Sequence, residues 1–453
     1  MKTIRNKILE FVLLLQSGKS IFNELNKLKK YEKQSINENL KTQQKNLEKI
    51  LLYSWKYVPY YKKILEEAKV VVNEEILLEN FHQVKILDKE ILANNFNSLI
   101  TTNKKFRRNM YTNYSGGSTG TPTKFIQAQH YRIREMAAKW YYYTLINSFP
   151  CKHIKLWGSE RDIIQAKFSI RSRMMNFLQQ RKILNSFQMT QKNMFDYTNE
   201  INKYKPIIIE AYAQSIYELA IFIKNNNLKI FSPEGIIASA GTLYPSMKKL
   251  IEDVFQCVVL NRYGTREVGD VACSCEKNQG LHMNIINNYI EILDDNLQPA
   301  EPGEIGQIYI TKLTNFTMPL IRYKIGDLGI PSKNTECGCG RGFPLLEFVE
   351  GREMSVFKTK DGTIVPAEFF IHFIGVVFNK GIISKFQVIQ NDYDKITIKY
   401  ILQERENLDG YKKQISYAIR RVMGEDCQIF WREVDQIPNL PSGKYLYTLS
   451  EIQ

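Results

Sequence analysis

The 453-residue sequence lacks any run of about 20 apolar residues, the length that a membrane-spanning helix needs. The apolar run FVLLL at residues 11–15 is short and follows Glu10, so the N-terminal segment does not have the pattern of an export signal. The sequence also lacks internal repeats and low-complexity linkers. These absences favour a globular protein over a membrane-spanning, exported or fibrous one.

Cysteine and histidine are scarce, with seven cysteines and five histidines. An odd number of cysteines in a long chain argues against a disulfide framework and for a reducing cytoplasm. The hydrophobic content of 44% excludes an intrinsically disordered chain, because it supplies enough apolar surface for a core. The length favours two or three domains over one.

Acidic residues are too few to balance the basic ones, and the formal charge is +15. Such an excess suits nucleic acid, an anionic membrane surface or an anionic substrate. Because the lysines are scattered through most of the chain, we expect no nucleic-acid partner. The basic amphipathic N-terminal segment leaves two alternatives open: contact with a membrane surface or a partner, and packing on its own domain. The sequence is compatible with a homodimer and does not decide the oligomeric state.

Hydrophobic periodicity divides the chain into three parts. Residues 1–105 have apolar residues at helical spacing, broken at Pro59. Residues 106–350 alternate short β-rich runs with amphipathic helices, which predicts βαβ units and a mainly parallel sheet. Residues 351–453 contain three strand-like runs and a helix, whose apolar face is predicted as Leu408, Tyr411, Ile415, Ala418 and Val422. We therefore expect an α/β protein with a small α+β domain at its C-terminal end.

The segment YSGGSTGTPTKF at residues 114–125 contains three glycines, five serine or threonine hydroxyls and one lysine. Such a segment exposes backbone N–H groups and suits a phosphate chain, the alternative being a flexible linker. It lacks the spacing of a P-loop, because Thr121 and Pro122 follow Gly120. We expect this loop to lead directly into a helix.

Four further short motifs follow the loop in order: YGTRE at 263–267, GD at 326–327, GR at 351–352 and PSGK at 441–444. Each is weak alone, but together they resemble the adenylate-forming enzymes, the superfamily of acyl-CoA synthetases. The chain is most similar to the phenylacetate-CoA ligase branch, which includes members associated with capsular polysaccharide biosynthesis. This similarity rests on the segments VPYYKKIL, LDKEIL, YSGGSTGTP, YGTREVGDVA, GLHMN, PLIRYKIGDLG and CGCGRGFPLLEFVEGR.

The resemblance implies the adenylate-forming enzyme fold, a large N-terminal α/β domain plus a small mobile α+β C-terminal domain. In that fold residues 106–350 would form the adenylate-binding core and residues 351–453 the lid. It also implies activation of a small-molecule carboxylic acid by ATP, in which two anions meet only when cations and donors neutralise the developing charge. Glu267 would hold Mg²⁺, Thr265 would lie near the reacting phosphate, and Lys444 would bridge carboxylate and phosphate. The other implied nucleotide-binding residues are Ser115, Gly116, Gly117, Ser118, Thr119, Gly120, Thr121, Lys124, Tyr263, Gly264, Asp327 at the ribose and Arg352.

Each of these residues has an ordinary structural alternative when it is taken alone. Glu267 could be a carboxylate at a helix start, Asp327 a turn residue, and Lys444 a surface lysine. The occurrence of all of them in one order is what favours the functional interpretation.

The acyl pocket implied by the resemblance lies near Tyr212, Ser239, Ala240 and Gly241. Two positions depart from the family pattern. Thr242 follows Gly241 where relatives mostly have a glutamate, so no role of that acid is carried over. Met354 stands where the family usually has the Asp or Lys about which the small domain rotates. This departure bears on the second half-reaction, in which the acyl group forms a thioester.

Two cysteine-containing half-sites, Cys275-x6-His282 and Cys337-x-Cys339, offer four soft or borderline ligands. Such a set suits tetrahedral zinc, the alternative being buried reduced thiols with a core histidine. Some relatives in the phenylacetate-CoA ligase branch carry zinc at matching positions. The resemblance therefore favours a closed, structural zinc site, with Cys273 as a neighbouring spare.

The sequence thus predicts a cytoplasmic, ATP- and Mg²⁺-dependent acid ligase that forms an acyl-adenylate, releases AMP and passes the acyl group to coenzyme A. One alternative is acyl transfer to an amine or hydroxyl of a surface-polysaccharide precursor without coenzyme A. Another is a non-catalytic nucleotide-binding scaffold. The acid itself cannot be read from the sequence.

Overall fold

The computed structural model describes residues 4–115, 123–157, 170–186, 189–352, 357–361, 364–365, 370, 374, 382–403, 407–438 and 445–452. The chain folds as two units. The first comprises residues 1–243, 247–325 and 329–349, and the second comprises residues 244–246, 326–328 and 350–453. The division into three parts at residues 105 and 350 stays a prediction.

Four helices begin the first unit: Ile4–Ser17 (α1), Ile21–Tyr31 (α2), Ile36–Tyr57 (α3) and Pro59–Glu67 (α4). Helix α3 starts at a capping box, in which the Ser35 hydroxyl accepts from the Glu38 N–H and the Glu38 carboxylate accepts from the Ser35 N–H. The break between α3 and α4 falls at Pro59, the first residue of α4, where a missing N–H costs no helical hydrogen bond.

Helix α1 has apolar side chains on two sides. Leu9 and Leu13 are buried in a core cluster that includes Trp140, so α1 packs on the first unit. Its large exposed apolar side chains are Ile4, Ile8, Phe11, Leu14 and Leu15. Contact of this outer side with a membrane surface or a partner stays a prediction. No helix among the described residues is long and apolar enough to cross a bilayer.

Short elements follow: β1 (Val71–Val72), β2 (Glu75–Ile76), a 3-10 helix (Leu78–Gln83), α5 (Lys89–Asn94) and α6 (Lys104–Arg107). Strands β3 (Met110–Tyr114) and β4 (Lys124–Ala128) then form an antiparallel hairpin. The expectation that the glycine-rich loop leads directly into a helix is wrong. Phe125 and Ile126 of β4 are buried in the core and paired with β3, so the next helix starts only at residue 129.

A parallel part of the large sheet has the order β9-β8-β7-β5-β6. Its strands are β5 (His153–Trp157), β6 (Arg181–Asn185), β7 (Ile208–Tyr212), β8 (Gly235–Ser239) and β9 (Val258–Thr265). The helices in this part of the chain are α7 (Gln129–Tyr143), α8 (Ile170–Leu178), α9 (Gln191–Tyr204), α10 (Ala213–Asn225) and α11 (Pro245–Phe255). The strand, helix and strand predicted from KPIIIEAYA, SIYELAIFIKNN and PEGIIASAGT are confirmed as β7, α10 and β8. Every residue of β7 and β8 is buried, as in strands covered on both faces.

The rest of the sheet continues from β9 in the order β9-β10-β11-β15-β14-β13-β12. Its strands are β10 (Gly269–Ser274), β11 (Leu281–Met283), β12 (Asn288–Leu293), β13 (Gly306–Lys312), β14 (Tyr323–Pro331) and β15 (Leu345–Arg352). The pairs β9–β10, β10–β11, β11–β15 and β12–β13 are antiparallel, so the expectation of a mainly parallel sheet is wrong for this half. Only three residues, 266–268, join β9 to β10, and a parallel crossover needs a dozen or more.

The second unit contains a four-stranded sheet in the order β20-β19-β18-β21. The elements of this unit after β15 are β16 (Phe357–Lys358), β17 (Ile364–Val365), β18 (Ile383–Asp392), β19 (Lys395–Leu402), α12 (Leu408–Met423), β20 (Gln428–Glu433) and β21 (Thr448–Ser450). The three strand-like runs predicted here are confirmed as β18, β19 and β20. The mixed α/β first unit and the α+β second unit agree with the predicted fold class.

The predicted apolar face of α12 is confirmed in part. Its buried residues are Tyr411, Ile415, Ile419 and Met423, of which the prediction omitted the last two. Leu408 and Val422 are half-buried and pack against the same core, and Ala418 is half-buried. The buried residues recur every fourth position and lie on one side of the helix, so the large side chains of Ile419 and Met423 continue the line that Tyr411 and Ile415 begin.

Candidate active site and metal centre

The glycine-rich segment connects β3 to β4. Its residues Gly116, Gly117, Ser118, Thr119, Gly120 and Thr121 lie outside the described residues. Both ends are described: the Ser115 N–H donates to the Thr123 carbonyl at 2.9 Å, and the Thr123 N–H donates to Ser115 Oγ at 2.8 Å. Lys124 is exposed, with its Nζ 4.6 Å from the centre of the Phe96 ring. The hairpin therefore holds the two ends of the loop together.

A hydrogen bond joins this hairpin to the YGTRE motif. The buried side chain of Gln127 donates from Nε2 to the carbonyl oxygen of Arg266 at 3.0 Å. Its Oε1 accepts from Tyr111 Oη at 3.3 Å and from Asn113 Nδ2 at 3.2 Å, both on β3. The structure thus brings the ends of the glycine-rich loop and the YGTRE motif into one region of the first unit.

The YGTRE motif ends β9 and turns into β10. Gly264 has no room for a side chain, because a Cβ there would lie 2.5 Å from the carbonyl oxygen of Gly269. Tyr263 packs against the core, and Thr265 Oγ1 accepts from the Val268 N–H at 3.4 Å. Glu267 is buried in the turn between the two strands. The alternative in which Glu267 starts a helix is therefore wrong.

The residues predicted for the acyl pocket come from the ends of neighbouring parallel strands. Tyr212 ends β7 and is paired in register with Ser239, which ends β8. The backbone of Ala240 has a φ of +60°, and Gly241 is exposed. Ligands of α/β sheets bind outside the carboxyl ends of parallel strands, so these residues lie at an edge suited to a ligand.

Trp157 and Arg262 lie at the same edge. Trp157 ends β5, and its ring centre is 4.0 Å from that of Tyr212. Arg262 is paired in register with Ser239, and its Nε donates to Ser239 Oγ at 3.3 Å. Neither residue was predicted from the sequence.

Glu210 of β7 is a buried carboxylate two residues before Tyr212, and it contacts three cations. Its Oε1 is 2.9 Å from Arg262 Nη2 and 3.3 Å from Lys139 Nζ of α7. Its Oε2 is 3.5 Å from Lys155 Nζ of β5 and accepts from Tyr143 Oη at 2.6 Å. Burial alone would raise the pKa of Glu210, but the three cations hold it well below the usual range. Glu210 is therefore ionised.

The charged groups continue across the sheet towards β13. Arg262 Nε lies 3.4 Å from the carboxylate of Asp270 on β10. The Asp270 N–H donates to Glu135 of α7 at 3.2 Å, and the other oxygen of Glu135 lies 2.8 Å from the fully buried Lys312 Nζ. Gly269 allows this approach: its φ is +75°, and a Cβ there would collide with the Glu135 carboxylate.

The sequence contains a signal for these buried charged residues. Lys155, Glu210 and Arg262 each interrupt an apolar strand run, in HIKLW, IIIEAY and VVLNRYG. A charge inside a strand of a sheet that is covered on both faces must find a partner, so such positions mark a buried polar cluster.

The remaining predicted residues belong to the second unit. Asp327 is a buried residue of β14, and Arg352 is the last residue of β15; both belong to the second unit. Lys444 and Met354 lie outside the described residues. The roles of all four stay predictions.

The four predicted zinc ligands come together in the first unit. Cys275, His282, Cys337 and Cys339 place one ligand atom each within 4.8 Å of one another. Cys275 Sγ lies 3.6 Å from Cys337 Sγ, and Cys339 Sγ lies 3.3 Å from His282 Nε2. His282 Nδ1 faces the carbonyl oxygen of Phe343 at 3.3 Å, an arrangement that leaves Nε2 free for a metal. Three thiols and one imidazole grouped in this way form a closed donor set that fits zinc.

The thiols of this cluster differ in their proton affinity. Burial raises the pKa of Cys275 to about 12 and also raises that of Cys337. For Cys339, burial acts in the same direction, but hydrogen bonds from the backbone and side chain of Arg341 outweigh it and lower the pKa. Cys273, the predicted spare, packs in the hydrophobic core and is not in the ligand group found among the described residues.

Comparisons with known proteins agree with the motifs and the fold. A family model described as the CapK C-terminal domain matches residues 357–451. Protein CapK of Staphylococcus aureus is 24% identical over 437 residues, which span 96% of this chain and 93% of that protein. The chain is a homologue of CapK. Phenylacetate-coenzyme A ligase of Thermus thermophilus is 24% identical over 270 residues, 54% of this chain and 60% of that enzyme.

The fold is also that of a solved adenylate-forming ligase. The 2-hydroxyisobutyryl-CoA ligase in the postadenylation state, in complex with 2-HIB-AMP, has a TM-score of 0.73 and 16% identity to this CapK homologue. The match covers 93% of this chain and 91% of that one. The predicted resemblance to the phenylacetate-CoA ligase branch, with its members associated with capsular polysaccharide biosynthesis, is confirmed, as is the adenylate-forming fold.

Proposed function

We propose that this CapK homologue activates a carboxylic acid with ATP as an acyl-adenylate and then transfers the acyl group, with release of AMP. The observation that carries the proposal is the Gln127 to Arg266 hydrogen bond, which fixes the ends of the glycine-rich loop beside the YGTRE motif. The loop supplies donors for phosphate oxygens, and Glu267 in the adjoining turn supplies a carboxylate where the resemblance requires a Mg²⁺ ligand.

In this account each residue has a separate task. Ser115 and Lys124 border the loop that holds the phosphates, and Asp327 accepts the ribose hydroxyls. Lys444 brings a positive charge to the carboxylate and phosphate as they react. When bound, Mg²⁺ neutralises phosphate charge.

The metal cluster is structural in this proposal. Cys275, His282, Cys337 and Cys339 would hold Zn²⁺ with no position open for substrate, so the metal would cross-link the β10–β11 region to the chain around residue 338. Zinc would contribute folding stability and no catalytic step.

Coenzyme A is the proposed acceptor, because the similarity to phenylacetate-coenzyme A ligase favours it. The second candidate is transfer to an amine or hydroxyl of a surface-polysaccharide precursor, favoured by Met354 at the position where the family has a hinge Asp or Lys. A panel of acceptors, supplied after the acyl-adenylate has formed, separates the two candidates. A non-catalytic scaffold is disfavoured, because it needs neither Glu267 nor Lys444.

Pyrophosphate exchange into ATP tests the proposal. The wild type is compared with Lys444→Ala and with Lys413→Ala, which removes an exposed lysine of α12. We expect acid-dependent exchange that Lys444→Ala lowers by about 100-fold or more and Lys413→Ala leaves unchanged. ATP binding without exchange for any aromatic, aliphatic, amino or sugar acid would contradict the proposal and favour the scaffold.

A further inference from the structure

With all its groups ionised, the cluster around Glu210 has one positive charge more than its linked carboxylates neutralise. The linked groups are three carboxylates, Glu210, Asp270 and Glu135, and four cations, Lys139, Lys155, Arg262 and Lys312. A buried positive charge without a counterion is costly, so a cluster with one cation in excess is suited to receive an anion.

The contacts show which cations are weakly paired. Arg262 Nη2 and Tyr143 Oη approach Glu210 closely, at 2.9 and 2.6 Å. The ammonium groups of Lys139 and Lys155 lie farther away, at 3.3 and 3.5 Å, beyond the usual length of a charge-assisted hydrogen bond. Each ammonium has three donors, and a single carboxylate oxygen does not use them.

Arg262 has a further unused donor. Its side chain is only 4% exposed, and Nη1 is buried with no hydrogen-bond partner among the residues that the structure describes. Lys139 and Lys155 keep 29% and 17% of their side-chain surface, so neither side chain is completely enclosed. The two lysines therefore form the accessible part of a cluster whose inner part is already enclosed.

The aromatic residue Trp157 packs against three of these cations. The Lys155 Nζ is 4.3 Å from the centre of the Trp157 ring, the Lys139 Nζ 5.9 Å, and the Arg262 guanidinium carbon 6.0 Å. Trp157 and Tyr212 end adjacent parallel strands, at the edge where the acyl pocket is predicted.

We infer that the acid activated by this protein carries a second negatively charged group, a carboxylate, sulfate or phosphate, which Lys139 and Lys155 bind beside Trp157. This inference rests on the proposed function. The reacting carboxylate takes part in adenylation, and the second group fixes the far end of the substrate. A neutral acid of equal length leaves the lysines without an anion and is bound less well.

Exchange with matched pairs of acids tests the inference: adipate against hexanoate, and 4-carboxyphenylacetate against phenylacetate. The structure predicts a kcat/KM at least ~10-fold higher for the acid with the second charge. Lys139→Met and Lys155→Met each remove most of this preference without changing the KM for ATP. Lys152→Met, an exposed lysine on the chain entering β5, keeps the preference.

A binding measurement without turnover separates this inference from the proposed function. Wild-type protein and the two methionine variants are titrated with each acid and their Tm shifts compared, with no ATP present. We expect the charged member of each pair to raise the Tm of the wild type only.

Exchange with neutral acids at equal or higher efficiency overturns the inference and leaves the proposed function standing. A Tm shift without exchange overturns the proposed function, and with it the claim that the bound acid is the substrate. An increased KM for ATP in the lysine variants, or neither exchange nor a shift, overturns the inference.

Discussion

The side chain of Gln127 donates a 3.0 Å hydrogen bond to the carbonyl oxygen of Arg266, across 139 positions of sequence. Gln127 lies on the strand that follows the glycine-rich loop, and Arg266 lies inside YGTRE. This hydrogen bond holds side by side two motifs that are far apart in the sequence. In the proposed function this contact sets the position of the phosphate-binding loop relative to Glu267.

Replacing this glutamine should therefore impair ATP use. Gln127→Met leaves the Arg266 carbonyl and the donors of Tyr111 and Asn113 without a partner, at a cost of about 1–3 kcal/mol. We expect a KM for ATP raised by roughly 10-fold, because the loop ends are no longer fixed. Steady-state exchange kinetics measure it. The control is Gln44→Met, which changes an exposed glutamine of α3. Equal KM values in the two variants would contradict this role.

Removal of the Glu210 charge should destabilise the first unit. Glu210→Gln leaves three cations around a neutral amide, and loss of one partner of a buried ion pair costs about 3–5 kcal/mol. The free energy of unfolding from urea denaturation measures this effect. Glu301→Gln, at an exposed position, should change it by less than about 0.5 kcal/mol. A stable Glu210→Gln variant would show that the cations do not need this carboxylate.

The preference for a doubly charged acid should depend on pH. Burial and the repulsion of Lys139, Arg181 and Arg262 lower the pKa of Lys155 to about 7. The attraction of Glu210 acts in the opposite direction and is outweighed. Below pH 7 the ammonium is charged and attracts an anion; above pH 7 it loses its proton and the attraction weakens. We expect the ratio of kcat/KM for adipate over hexanoate to fall by about 10-fold from pH 6.5 to 8.5. A ratio that is constant, or that rises, would contradict a binding role of Lys155.

Zinc removal should lower stability without removing a catalytic group. We expect about one equivalent of zinc in the purified protein, and a lower Tm after treatment with a strong chelator. Cys275→Ser should abolish metal binding. Cys257→Ser, which changes a cysteine outside the ligand group, should retain the metal. Metal-free wild-type protein with an unchanged Tm would identify the cluster as reduced thiols packed around a histidine.

Local patterns in the sequence were sufficient for much of the fold. The strand ending at Tyr212, the helix after it and the strand ending at Ser239 follow from apolar runs and their lengths, and the break at Pro59 from the chemistry of proline. The antiparallel half of the sheet was not predicted, because strand direction depends on the length of connections and on distant pairing. The prediction for α12 was in error by one position in its second half, since several apolar residues there compete for the buried side.

The candidate site was predicted unevenly. The Cys275, His282, Cys337 and Cys339 cluster could be assembled from spacing and resemblance, since each half-site is local and rich in metal-binding residue types. The Glu210 cluster was not predicted. Lys139 is on a helix, and its contact with Glu210 of β7 depends on how that helix packs on the sheet. Periodicity along the chain carries no such information.

The most direct test of the central claim is detection of the acyl-adenylate itself. Wild-type protein and Glu267→Gln are incubated with ATP labelled at the α-phosphate, Mg²⁺ and an acid that supports exchange, without any acceptor, and the products are separated and identified by mass. The account predicts an acid-dependent acyl-AMP in the wild type, and at least ~100-fold less in the variant. Acid-independent release of AMP or ADP, with no acyl-AMP in either protein, would contradict it.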